Sequence, residues 1–163
     1  HYNVDETNSP WNKPSSKNFC MLFVPGAFQS GELSDSEKRF DFLRLLLLDD
    51  VEQSIKVSNL VGIQFAARLN VKLANATDAT YLAASCRKTG RKGIYSRNLS
   101  MTRLVHGPIV FGETLYQDNG VEALALSQMN ITDRISGQLT SKRVMQVADA
   151  YFQGVTEWFN SNK

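Results

Sequence analysis

The stretch NFCMLFVPG at 18–26 constrains this chain most. From Phe19 to Val24 it is wholly apolar, and Pro25-Gly26 closes it at strand length. A strand of this kind has no polar side chain to turn toward water, so it must be buried on both faces. A second run, IVF at 109–111, is short, β-branched and apolar, and it suits another interior strand.

What covers these strands is legible as helical periodicity. SGELSDSEKRFDFLRLLLLDD offers Ser34 or Asp35 as an N-cap, acidic residues in its first turn, and Phe42, Leu45, Leu46 and Leu48 on one side. From about Val51 to Asn70, Val57, Leu60, Ile63 and Ala67 keep a spacing near 3.6 residues. VEALALSQM reads as a short helix and NITDRISGQ as a connection. From about Thr140 the residues Val144, Val147, Tyr151, Val155 and Trp158 recur at intervals of three and four, predicting a long closing helix. Residues 1–17, with Pro10 and Pro14, read as an irregular surface loop. The segment 71–96 is ambiguous: LANATDATYLAASC fits either helix or a short strand, and RKTGRKG is a basic turn whose charges read as solvated. Strands alternating with helices predict an α/β layer fold in one domain spanning 1–163.

Charge and composition exclude some functions. Apolar residues make up 42% of the 163 and charged residues 21%, with a net charge of +2, which fits neither a disordered tail nor a nucleic-acid-binding arm. The longest apolar stretch, FLRLLLL at 42–48, is interrupted by Arg44 and falls well short of the roughly 20 residues of a membrane span. No stable membrane insertion is expected. The two cysteines, Cys20 and Cys86, lack metal-ligand spacing and read as buried thiols, with pairing in an oxidising compartment as the alternative. Three Asn-x-Ser/Thr triplets, at Asn75, Asn98 and Asn130, carry little weight.

Two polar residues stand out. Glu113 follows IVFG, placing a carboxylate at the end of a predicted strand, where functional side chains gather in open α/β sheets. From position alone, such a glutamate reads as solvated or salt-bridged. His1 is a potential metal ligand, but a catalytic zinc typically takes three protein ligands, and His106, the other histidine, reads as a surface or capping residue.

The order of these features carries more than any one of them. His1-Tyr2-Asn3 matches an H-x-N motif, and Pro108-Ile-Val-Phe-Gly-Glu113-Thr-Leu-Tyr116-Gln-Asp-Asn119 follows a P-x-V-L-V-E-x-x-F-x-x-N pattern. The ending through Val147-Ala-Asp-Ala150 and Gly154-Val-Thr-Glu-Trp-Phe159 is similar to an I-A-x-A-I-x-x-G-I-x-x-Y/F helix. In this order the chain resembles the C-terminal portion of the zinc-dependent N-acetylmuramoyl-L-alanine amidases of the amidase_3 type. The resemblance covers most of the chain except 27–50 and 71–92.

It implies a central twisted, mostly parallel sheet flanked by helices and lacking its N-terminal strands, with His1 as a zinc ligand and Glu113 as the catalytic carboxylate. It also implies peptidoglycan as substrate and a place in the bacterial periplasm or outside the cell. Asn3 would orient His1 or its loop. The family's other two zinc ligands precede its H-x-N motif. A chain opening on His1, with neither signal peptide nor initiating Met, therefore reads as a processed or N-terminally incomplete product, inactive unless completed. Segment 27–50 reads as core packing, with a regulatory helix as the alternative. The rival function is a non-catalytic cell-wall or partner-binding domain derived from an amidase. A copper monooxygenase, which would use an N-terminal histidine, is opposed by the helical C-terminal half.

Overall fold

A computed structural model describes residues 2–10 and 12–161. The apolar run forms β2 (Phe19–Val24). Its alternation divides the interior, with Cys20, Leu22 and Val24 in one apolar cluster and Met21 and Phe23 in another. Around it lie β1 (Tyr2–Asn3), β3 (Lys72–Leu73), β4 (Arg87–Lys88), β5 (Ile94–Ser96) and β6 (Phe111–Tyr116), in the order β1-β6-β2-β5-β4 with β3 also pairing to β2.

The fold is mixed α/β, and the sheet is mixed as well. β1 runs parallel to β6, and β2 runs parallel to β3 and β5. However, β2 and β6 are antiparallel, with Met21 opposite Glu113, and so are β4 and β5. The expectation of a mostly parallel sheet is therefore met only in part. A strand apolar on both sides announces its burial and not its direction, so the run by itself does not say how β6 lies beside β2.

One face of the sheet is covered by two long helices, α2 (Asp50–Leu69) and α6 (Lys142–Ser161). α2 buries Val57, Val61, Phe65 and Leu69, and Asn70 ends it in the left-handed conformation. Its inward face is rotated from the expected one, since Ile63 is half exposed while Val61 and Phe65 are fully buried. α6 buries Val147, Ala150 and Gly154. The two helices approach closely there: a Cβ at Gly154 would lie 2.6 Å from the Val61 Cα, so this position requires glycine. Gly112 is required for a similar reason, because a Cβ would lie 2.1 Å from the Tyr151 hydroxyl, which hydrogen-bonds the Gly112 carbonyl at 3.3 Å.

The other face carries α3 (Thr80–Ala84), a single short helix, together with loops. The chain passes from β5 to β6 through α4 (Ser100–Leu104) and leaves β6 through α5 (Gly120–Ser127). Asn119 caps α5, accepting from the Val121 and Glu122 amides, while its own amide donates to the Ser15 and Lys17 carbonyls. The supposed connection after α5 is a hairpin, β7 (Met129–Thr132) with β8 (Leu139–Ser141). Its strands are four and three residues long, so the alternation of Met129 and Ile131 with Asn130 and Thr132 is too short to be read as a strand.

The remaining helix, α1 (Ser36–Leu47), starts at Asp35, whose carboxylate accepts from the Glu37 amide as the cap reading expected. Its leucines depart from expectation. Leu45 alone is buried, whereas Leu43, Leu46 and Leu47 are more than half exposed. Salt bridges from Arg44 to Asp50 and from Arg103 to Asp41 fix the helix against its neighbours by its polar side instead.

Candidate functional site

β6 holds Glu113 in the middle of the strand, opposite Met21, and not beyond a carboxyl end as the sequence implied. The strand starts at Phe111, two residues after the predicted one, which moves the carboxylate inward. Glu113 is 7% exposed and lies on the side of the sheet away from α2 and α6. Two residues later the strand is irregular: Leu115 adopts a φ of 54°, and the partners of Tyr2 and Asn3 are Thr114 and Tyr116, skipping Leu115. This bulge sends Leu115 into the helix-covered core and returns Tyr116 to the cluster on the Glu113 side. A left-handed leucine costs on the order of 1–2 kcal/mol, held here by full burial of its side chain.

Two side chains meet the carboxylate, and a third supports one of them. The Tyr81 hydroxyl, from α3, lies 3.0 Å from both Glu113 Oε2 and Met21 Sδ. Its one proton goes to the carboxylate, much the stronger acceptor. Asn3, from β1, donates its side-chain amide to the Tyr81 oxygen at 3.0 Å. Arg97, just after β5, places Nη1 3.9 Å from Glu113 Oε1, an ionic contact too long for a hydrogen bond. Its guanidinium lies over the rings of Tyr81 and Phe23, 4.7 and 5.2 Å from their centroids.

Burial pushes the Glu113 carboxyl above the usual carboxylate range, and the Tyr81 hydrogen bond and Arg97 charge offset this only in part. Burial and the neighbouring Glu113 charge raise Tyr81 in turn, so it remains a proton donor at any physiological pH. A buried carboxyl of raised pKa, with a fixed donor and an adjacent cation, is suited to taking up and releasing a proton.

Glu113 and Asn3, which the sequence singled out, are thus brought to one cluster through Tyr81. His1 lies outside the described residues; its neighbour Tyr2 pairs with Thr114, next to Glu113. His106 is exposed, in keeping with a surface role. Cys20 and Cys86 are free, buried thiols, and burial pushes Cys20 up to about 11. Arg87, Lys88, Arg91 and Lys92 are solvent-exposed on the β4–β5 hairpin.

Tyr81 and Arg97 were missed. Tyr81 sits in the ambiguous segment 71–96, where no periodicity pointed to it. Arg97 had a usable signal, because it lies just past β5, a strand parallel to β2, in the kind of position for which Glu113 was chosen.

Among the described residues, no three His, Cys, Asp or Glu side chains come together as a ligand set. Among the described residues the charged group paired with Glu113 is a guanidinium, which repels a metal cation. The described residues therefore do not by themselves fit the metal. The chain matches no protein-family model, and no curated protein or solved structure shows significant similarity to it.

Proposed function

We propose that the Glu113 cluster is the proton-transfer part of a hydrolytic site acting on the peptidoglycan amide between N-acetylmuramic acid and L-alanine. One observation carries the reading. Tyr2–Asn3 and Phe111–Tyr116, far apart in the sequence, form the adjacent parallel strands β1 and β6, and Asn3 and Glu113 meet at one tyrosine hydroxyl.

In this reading Glu113 accepts the proton of the attacking water and passes it to the departing L-alanine nitrogen. Tyr81 holds the carboxylate in one orientation, and Asn3 holds Tyr81 by donating to its oxygen. Burial raises the Glu113 pKa, the direction that favours proton transfer by a carboxyl. Zinc, as part of the same proposal, would require His1 and ligands outside the described residues. The substrate places the protein in the bacterial cell envelope or outside the cell.

A second reading, a cell-wall or partner-binding domain without turnover, is favoured by the low exposure of Glu113 and its pairing to Tyr81 and Arg97. One experiment separates the two. Zinc content and peptide release from purified peptidoglycan are measured for this chain, for a version extended at its N-terminus, and for the extended Glu113→Gln variant. The hydrolytic reading expects zinc-dependent release by the extended protein, lost in Glu113→Gln with zinc retained. Absence of release by the extended protein, or unchanged release by the variant, refutes it.

A further inference from the structure

Arg97 has a feature that pairing with Glu113 does not explain. Among the described residues, its guanidinium makes no hydrogen bond to any acceptor, although Glu113 Oε1 is 3.9 Å away. The side chain is 27% exposed, so part of it is reachable from solvent. The rings of Tyr81 and Phe23 hold the guanidinium plane, at 4.7 and 5.2 Å. A stacked guanidinium keeps its in-plane N–H groups free, and their fork matches the two oxygens of a carboxylate. Being held already, it loses little side-chain entropy when an anion arrives.

We infer that Arg97 is a specificity-determining residue that takes a ligand carboxylate, and that this carboxylate lies one residue beyond the reacting amide, on the second amino acid of the stem peptide. The inference rests on the peptidoglycan reading for the identity of the ligand, and on the geometry for its charge. The distance selects the carboxylate. With Nη1 3.9 Å from Glu113, an anion on the far edge of the fork stands roughly 6–9 Å from the group that protonates the leaving nitrogen, the reach of about two extended residues. The α-carboxylate of the residue after L-alanine lies within that span. Glu113 leaves the fork's hydrogen-bonding edge unused, since its nearer oxygen stays 3.9 Å from Nη1.

The test measures binding of two ligands to the 163-residue chain by calorimetry or NMR titration: N-acetylmuramoyl-L-alanyl-D-glutamate, and its α-carboxamide counterpart ending in D-isoglutamine. The carboxylate ligand is expected to bind about tenfold tighter or more. Arg97→Gln should bring it to the level of the carboxamide without changing carboxamide binding, and Arg97→Lys should restore part of the difference, because charge returns without the fork. The wild-type comparison needs no variant to fold. Equal affinity for the two ligands, no binding of either, or an equal loss of both in Arg97→Gln overturns the inference. Carboxylate-dependent binding in a protein that releases no peptide would sustain it while removing the hydrolytic reading. Peptide release with carboxylate-independent binding would do the reverse.

Discussion

The two faces of the sheet are both buried, but by opposite means. Under α2 and α6 the interior is apolar and continuous, built on Leu22, Val61, Phe65, Val147 and Ala150. Under α3 and the loops it is aromatic and polar: Phe23, Tyr81 and Tyr116 surround Glu113, Arg97 and Asn3. The first arrangement gains from removing apolar surface from water, whatever the exact partners. The second gains only if every polar group is satisfied, because an unpaired buried group costs more than a hydrogen bond returns. Stability is therefore expected to reside on the helix side, and chemistry on the other.

The largest effects should come from breaking the helix side. Phe65→Ala removes a fully buried ring stacked edge-on against Tyr151 at 4.9 Å, and a loss of about 4 kcal/mol is expected in urea unfolding. Gly154→Ala forces a methyl against the Val61 backbone, and about 2 kcal/mol should be lost, with the midpoint falling and the denaturant slope unchanged.

Substitutions on the polar side should cost less and change titration more. Tyr81→Phe removes the hydrogen bond donated to Glu113 and the acceptor of one Asn3 amide bond; about 1–2 kcal/mol is expected, with the Glu113 pKa moving further up in a carboxyl-carbon NMR titration. A downward shift would contradict the assignment of the hydrogen bond.

Glu113→Gln should have the smallest effect, and its sign depends on pH. Because the folded pKa is raised, the native state holds the proton longer than the unfolded chain. Wild-type stability therefore falls as pH rises from the unfolded carboxylate range through the raised folded value, then levels off. The variant should match wild type in acid and become the more stable of the two above that window, as chemical denaturation across pH would show. Asp5 provides the contrast. Burial would raise it, but hydrogen bonds from Thr7, Lys17 and Ser15 hold it well below the usual range. Its contribution is present above the unfolded carboxylate pKa and is lost as pH falls through the folded value.

The sequence showed the helix side more clearly than the polar side, for a physical reason. β2, α1, α2, α5 and α6 all appear near the predicted positions, because apolar runs, caps and 3.6-residue spacing are local signals. Which face of α2 turns inward, and how little of α1 is covered, depend on partners distant in sequence, so Ile63 and Leu46 were misjudged. The site follows the same division. Glu113 could be picked out beside its apolar run, but its place within β6 depends on pairing with β2. Tyr81 reaches Glu113 only through the tertiary arrangement of α3, and no spacing in the chain encodes that meeting.

The central strand has a consequence for how the chain comes to be folded. β2 forms early in the sequence, yet its edges are closed by β3, β5 and β6, the last of them at 111–116. During synthesis, FCMLFV must wait with both edges open until much of the chain has been made. It is an uncharged segment without proline and with high strand propensity, the kind that pairs with other copies of itself. The slow step of folding and the main route to aggregation should therefore share one six-residue strand, whose amides should be among the last to exchange with solvent once the sheet is closed.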